Sequence, residues 1–425
     1  MGVIVEPSQA LPLVSVIVAF RSGSAHDPAG REGLARLTGR MLRRGAEGWT
    51  SEAIEETIDL LGGELGVDVS PSATLVHFEV IKRSLEPFLD IVATVLSRPV
   101  FDVGELERLK REAIAEIVES RDSDGLLCAR AFRRTIFAGH PYGRRISGQI
   151  ATLKEMQRDD IVKFYKTHYT QSNAHVVVSG DVDVEEGNAI AEKLLERLPV
   201  GDRIEDPVPP PKPPTGRRLI FVDKPERTQM QMVVGGLGTH PTDEDHIPLL
   251  VANTAFGGTF TSRLMQEIRA KRGLSYGTSS RLGVDRQRDS FMMWAAPKAT
   301  DGALCLSLML DLLHGVRDGG ITADELSFVK KYLIRSHAFE VDTARKRAHR
   351  KLDAVLFDLP DGYYERQNEL IEAVTLDEAN AALRNRLSED DMIIAVVGTH
   401  ADIGKTITDA IPRLAGVEVC PFDLE

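Results

Sequence analysis

Cysteine is scarce in this 425-residue chain, which holds only Cys128, Cys305 and Cys420. An odd number, wide spacing and the lack of any CxxC pair argue against a disulfide framework or a thiolate metal site. The three read as buried, reduced thiols. No apolar run approaches the roughly 20 residues needed to span a bilayer. Positive charge is in deficit: 52 Lys and Arg face 64 Asp and Glu, for a net charge of −12. Phosphate backbones need clustered cations, so nucleic acid is not expected as a main partner, and no membrane partner is expected either. The opening MGVIVEPSQALPLVSVIVAF lacks the basic, apolar, small-residue order of a secretory signal. The expectation is a cytoplasmic protein, or a periplasmic one if a leader has been removed. The 11 histidines show no HxH, HxxxH or HxxEH spacing. His240 and His246, the closest pair, flank Asp243-Glu244-Asp245 and read as solvated loop residues, with a loop site for adventitious metal as the alternative. No Gly-x-Ser-x-Gly elbow occurs and no cysteine has an obvious base, so an independent hydrolase is disfavoured.

What is present is ordinary for a globular protein: 42% hydrophobic and 27% charged residues, in a chain long enough for two or three domains. The strongest punctuation is the run 207–214, PVPPPKPP, whose prolines fix φ and remove donors. A proline-rich linker over 207–217 would separate a domain at 1–206 from one at 218–425. The two halves echo one another. The first offers a strand at 14–20, helices at 31–44 and from Ser51 to Gly62-Gly63, an extended stretch at 74–81, and helices at 85–96 and 103–119. The second offers a strand at 230–234, helices near 247–256 and 262–269, a strand at 290–296, and helices at 303–316 and 323–337. Glu105-Leu106-Glu107 parallels Glu325-Leu326-Ser327, and the strand at 174–180 parallels that at 393–398, both offset by about 220 residues. Hairpin-like strands with helix pairs between them predict an α+β fold of two homologous domains, each a mostly antiparallel sheet with helices packed on one face. A chance match of two generic layered domains is the alternative to duplication.

Four runs, in order along nearly the whole chain, carry a resemblance. These are RSGSAHDPAGREGLARLTGR (21–40), the HPYG loop His140–Gly143 with Gly148, the set Phe164-Tyr165, Tyr169, Asn173 and Gly180-Asp181, and SRLMQEIRAKRGLSY (262–276). Together they resemble the bacterial subfamily of the pitrilysin and mitochondrial-processing-peptidase group, the inverted-motif zinc peptidases. In a catalytic member the helix near 36–40 reads His-x-x-Glu-His. Two imidazoles one turn apart hold the metal and the Glu activates water. Here Arg36 and Arg40 stand in the imidazole slots and Gly39 in the base slot. Glu116 falls about where the distant third ligand belongs. Arginine stays protonated and has no lone pair for a cation, so no metal is expected in this chain. Glu116 reads as part of a helix edge with Glu112 and Glu119, or as a partner for Arg36 or Arg40.

The resemblance implies two homologous α+β domains and a role as the non-catalytic subunit of a heterodimer. The catalytic pitrilysin-family partner would bring the zinc, and the substrate would be an unfolded peptide. Whether this chain counts as an enzyme then depends on that partner. The family's non-catalytic subunits contribute an Arg and a Tyr seven residues apart, which Arg269 and Tyr276 match; Arg272 fits less well. The same residues also read as an ordinary helix end, with cations at the negative dipole terminus before Gly273 and Tyr276 as a half-buried aromatic of a following strand. Both readings can hold at once. Gly257 and Gly258, in Phe256-Gly257-Gly258-Thr259-Phe260, fall at the family's glycine-rich loop, where substrate contact is implied; a plain flexible connector is the other reading, and the Gly-Lys-Ser/Thr end of a phosphate loop is missing. A peptide-binding or scaffold protein of the same fold, without any part in catalysis, is the rival function.

Overall fold

The computed structural model describes residues 2–205 and 208–424. Two compact units emerge, each built on one sheet. The first sheet uses β1 (Gly2–Pro7), β2 (Leu13–Phe20), β3 (Glu64–Val69), β4 (Thr74–Ile81) and β5 (Ala174–Gly180), in the order β1-β5-β2-β4-β3. The pairs are antiparallel apart from β1 with β5. Alternation decides which way each strand faces. Val14, Val16, Val18 and Phe20 of β2 join Val76, Phe78 and Val80 of β4 and Val176 and Val178 of β5 in one core. The helices Leu34–Met41, Leu85–Ser97, Val103–Glu119 and Val184–Arg197 close that core.

The second sheet holds β6 (Arg217–Asp223), β7 (Gln231–Leu237), β8 (Ser275–Leu282), β9 (Ser290–Pro297), β10 (Ile393–Gly398) and β11 (Leu414–Pro421), in the order β11-β6-β10-β7-β9-β8. Without β11 this order repeats the first sheet strand for strand, including the single parallel neighbour pair, β6 with β10. Duplication explains both sheets, and β11 is an addition that runs parallel to β6.

The units are not the two contiguous stretches expected from the proline run. Residues 118–143 belong to the second unit and residues 338–358 to the first. Each exchanged segment carries a helix that covers the second face of its sheet. Ala348, Leu352 and Leu356 of the helix Ala344–Leu356 pack on Ile17, Ala19 and Val177. The helix Asp124–Ile136 lies on β6, β7 and β10, and its Cys128 thiol donates to the Ala395 carbonyl at 3.3 Å. The two helices begin about 220 residues apart, at Asp124 and Ala344, so the exchange follows the repeat.

Other departures are local. Pro207 lies outside the described residues, but Val208 and Pro211 are buried, so this stretch is more than a bare spacer. The second domain's first strand begins at Arg217, inside the expected linker, because that buried side chain donates to the carbonyls of Glu389 (2.5 Å) and Pro412 (2.8 Å). The helix Gly302–Gly319 forms part of a 21-residue stretch with mean hydropathy 1.2, enough by length and composition alone to cross a membrane. Its buried face of Cys305, Leu306, Met309, Leu310, Leu313 and Val316 is a core face of the second unit. All three cysteines are free and buried.

Candidate functional site

The helix Leu34–Met41 is shorter than the expected 31–44, and its start is fixed from outside. Asp27 caps its start, accepting from the backbone N–H groups of Gly33 and Ala35, each at 2.8 Å. Gly33 sits at φ 97°, and a Cβ there would lie 2.9 Å from the Cα of Gly148. Gly148, at φ 74°, is equally closed, by the Glu32 carbonyl. Only two glycines let these backbones touch, which explains why Gly148 follows the HPYG loop. Burial pushes the Asp27 carboxyl up to about 7, against the pull of the two N–H groups.

One turn apart on this helix, Arg36 and Arg40 converge on Glu116 of the helix Val103–Glu119. Arg36 Nη2 lies 2.9 Å from Glu116 Oε2, and Arg40 Nη1 lies 2.9 Å from Oε1. Burial works to raise the Glu116 carboxyl, but hydrogen bonds and charge from the two guanidinium groups outweigh it and hold the group below the usual range. The ladder continues with Arg44, 2.6 Å from Glu112. The i, i+4, i+8 spacing of the arginines is visible in the sequence; the match of Arg44 to Glu112 is not. A cleft of about 900 Å³ opens here, lined by Arg36, Arg40 and Glu116 and by Val67 and Val69 of the edge strand β3.

Gly39 faces the sheet, and a Cβ on it would lie 2.8 Å from Val67 Cγ1 and 3.4 Å from the Tyr169 hydroxyl. A carboxylate in that slot has no room as the side chains stand. The donor set therefore does not fit a zinc ion: two permanent cations occupy the ligand positions, and the Glu116 carboxylate is already bonded to both.

In the second unit, Arg269 and Tyr276 are brought together. The Arg269 Cζ lies 5.1 Å from the Tyr276 ring centroid and 4.5 Å from that of Phe260. Tyr276 does lie on a strand, β8, but at 89% exposure it is not the half-buried aromatic expected there; Phe260 is 70% exposed. Gly273 takes φ 62°, and the N–H groups of Gly273 and Leu274 donate to the Arg269 and Ile268 carbonyls, so the helix does stop there. Arg272 is turned elsewhere: its guanidinium donates to Glu267, at 2.5 Å from the carboxylate. The surrounding helices are not simple α-helices. Thr254–Gly258 and Met265–Ala270 are π-helical, the latter with Lys271 N–H donating to the Gln266 carbonyl at 2.9 Å. Gly257 is buried, and a Cβ on it would meet Ser280 Oγ at 2.3 Å, so this glycine lets the loop lie against β8; Gly258 is exposed. In the sequence Phe260 is only the end of the glycine loop, and nothing there places its ring on a guanidinium.

The other motifs are anchors. In the second unit, Tyr142 of the HPYG loop is buried and donates to Asp285 at 3.1 Å. In the first, the Tyr165 hydroxyl donates to the Leu96 carbonyl at 2.6 Å and Asn173 donates to Ser22 at 2.9 Å. His246 is not the solvated loop residue expected: it opens the helix His246–Asn253, pairs with Thr239 in a buried contact, and burial lowers it to about 4. No ligand-like cluster forms at His240 and His246 among the described residues.

Sequence models of one peptidase family match both halves: Insulinase (Peptidase family M16) over residues 3–149 and Peptidase M16 inactive domain over 155–333. The chain belongs to the M16 peptidase family. Within it, the chain is similar to an uncharacterized zinc protease of Mycobacterium leprae, at 28% identity over 94% of this chain and 90% of the relative. It is also similar to a non-peptidase homolog of Helicobacter pylori, at 22% identity over 93% and 91%. Among solved structures, a peptidase M16 inactive domain from Pseudomonas fluorescens superimposes with a TM-score of 0.86, at 25% identity over 93% of this chain and 95% of that one. These M16 relatives carry names on both sides of the activity question. For this chain the residues answer it: with Arg36, Gly39 and Arg40 in the motif, it is an inactive-type M16 protein with no catalytic zinc site of its own.

Proposed function

We propose that this chain is the non-catalytic subunit of a heterodimeric zinc metallopeptidase, presenting Arg269 and Tyr276 to a peptide cleaved at a catalytic partner's site. The observation that carries this reading is the state of the Arg269 guanidinium. Arg263, Lys271 and Arg272 around it all hold carboxylates. Among the described residues Arg269 holds none and instead stacks on two exposed rings. An unpaired cation beside an exposed phenol is poor helix-end economy and good preparation for an acceptor oxygen. Tyr276 donates one hydrogen bond to a peptide carbonyl on which charge develops, and Arg269 adds a permanent charge and several donors. The hydrolytic metal chemistry comes from the partner. The cleft beside the open edge of β3 supports a part in holding an extended chain, since an unpaired strand edge offers backbone donors and acceptors.

The test is to assay peptide hydrolysis and bound zinc for the chain alone and mixed with a His-x-x-Glu-His subunit. Cleavage is expected only in the mixture. Tyr276→Phe there should lower turnover by about 10²–10³, the usual cost of one such donor, with zinc content unchanged. Undiminished turnover by that variant removes the tyrosine from the mechanism, and cleavage by the chain alone ends the whole reading. A second reading is favoured by the non-peptidase name of the Helicobacter pylori relative: a peptide-binding or scaffold protein that uses the same surface without hydrolysis. It predicts peptide binding by the chain and no cleavage in any mixture.

A further inference from the structure

Phe260 has no part in the core: it is 70% exposed on a loop between two π-helical segments. Its ring nevertheless has a definite neighbour, the Arg269 guanidinium, whose Cζ lies 4.5 Å from the ring centroid, closer than the 5.1 Å to Tyr276. We infer that Phe260 is a positioning residue for Arg269, holding the guanidinium together with Tyr276 by ring faces so that its in-plane N–H donors stay free for an acceptor oxygen of a bound chain. This rests on the reading of Arg269 given above and adds the residue that makes it effective.

The chemistry of the stack favours this over any ion pair. A carboxylate would hold an arginine more firmly, as Glu325 holds Arg263 at 2.6 Å, but it would occupy the same edge donors that a substrate needs. A ring attracts the cation through its face and uses none of them. Placement is also purposeful. π-helical turns are rare and cluster at functional sites. Here one precedes the loop and the other ends with Arg269 in its last turn, so both partners of the stack are set by them. Gly257, with no space for a Cβ against Ser280, pins the start of the loop.

One ring face at an exposed site is worth a factor of about two to five. The experiment compares Phe260→Leu, Phe260→Tyr and wild type in two arms. On the isolated protein, the Arg269 side-chain Nε–Hε resonance should show an upfield ring-current shift that Phe260→Leu reduces and Phe260→Tyr restores, with all three melting together. In the mixture with the zinc-bearing subunit, Phe260→Leu should lower kcat about two- to fivefold with KM nearly unchanged, and Phe260→Tyr should recover it. An Arg269 resonance indifferent to Phe260→Leu overturns the inference, as does a kcat loss that the tyrosine variant fails to rescue. If the wild-type mixture does not cleave at all, the heterodimer reading fails instead, and the resonance arm alone decides whether the rings hold the guanidinium.

Discussion

Neutralising Glu116 tests whether an ion-pair cluster has replaced the metal. In Glu116→Gln the side chain keeps its shape and one acceptor oxygen, but Arg36 and Arg40 lose the charge between them. At 2.9 Å each pair is worth about 1.4 kcal/mol in a water-like dielectric and several times that in a drier one. The side chains of Arg36, Arg40 and Glu116 are 31%, 23% and 41% exposed, so the water-like limit is the better guide. The entropy of fixing long side chains lowers it further, to about 0.2–1 kcal/mol per pair. Two like charges left at i and i+4 add a few tenths. The expected loss is therefore about 1–2 kcal/mol, measured by urea unfolding and apportioned by double-mutant cycles with Arg36→Ala and Arg40→Ala. The coupling should shrink in 1 M salt, where the screening length is about 3 Å. It should also fade with acidity: the folded carboxyl is held below its unfolded value, so the stabilisation is present above the ordinary range and lost as pH falls through the lowered one. Coupling that is absent, or indifferent to salt, would refute the ion-pair account. A stoichiometric zinc ion lost on Glu116→Gln would refute it more thoroughly.

Three further outcomes follow from the same geometry. A glycine inside a helix normally gains about 1 kcal/mol on conversion to alanine, but Gly39→Ala should destabilise, because its Cβ would fall 2.8 Å from Val67 Cγ1; Val67→Ala in the same chain should recover most of the loss in thermal unfolding. The Asp27 carboxyl is raised in the fold from 3.8 to about 7, so its contribution is full below pH 4 and lost as pH rises to about 7; Asp27→Asn should flatten that slope, and an unchanged pH–stability profile would show that Asp27 does not titrate there. Arg272→Ala should leave peptide hydrolysis by the mixed subunits near the wild-type rate while Arg269→Ala lowers it; the reverse order would show that the wrong cation was chosen.

Much of the fold was legible because periodicity reports burial directly. The alternation at 14–20 and 74–81 fixed β2 and β4, and the spacing near 220 residues already contained the repeat. The strands β1, β3, β6 and β11 leave no clear mark in the sequence, and β8 shows only as a strand of unstated length after Gly273. Glu64–Val69 is a half-exposed edge, and Ser275–Leu282 is rich in serine and glycine, so neither shows a clear apolar face. The exchange of 118–143 and 338–358 was invisible for a different reason. Each helix has an ordinary apolar stripe, and a stripe does not say which sheet it will cover. The π-helical segments look like ordinary helix in the sequence, since an i to i+5 bond leaves no mark in a pattern of apolar residues.

Sequence by itself determined that this chain cannot hold zinc as a His-x-x-Glu-His motif would, because that follows from side-chain chemistry: a guanidinium has no lone pair, wherever the fold puts it. It also determined the duplicated α+β plan and the candidate pair Arg269 and Tyr276. Only tertiary structure decided what became of the vacated ligand positions, where Glu116, 76 residues beyond Arg40, closes on both arginines. It alone decided that Arg272 is held by Glu267 while Arg269 lies against two rings. Pairing between side chains depends on distances across the fold, and neighbours in the sequence compete for partners that only folding brings within reach.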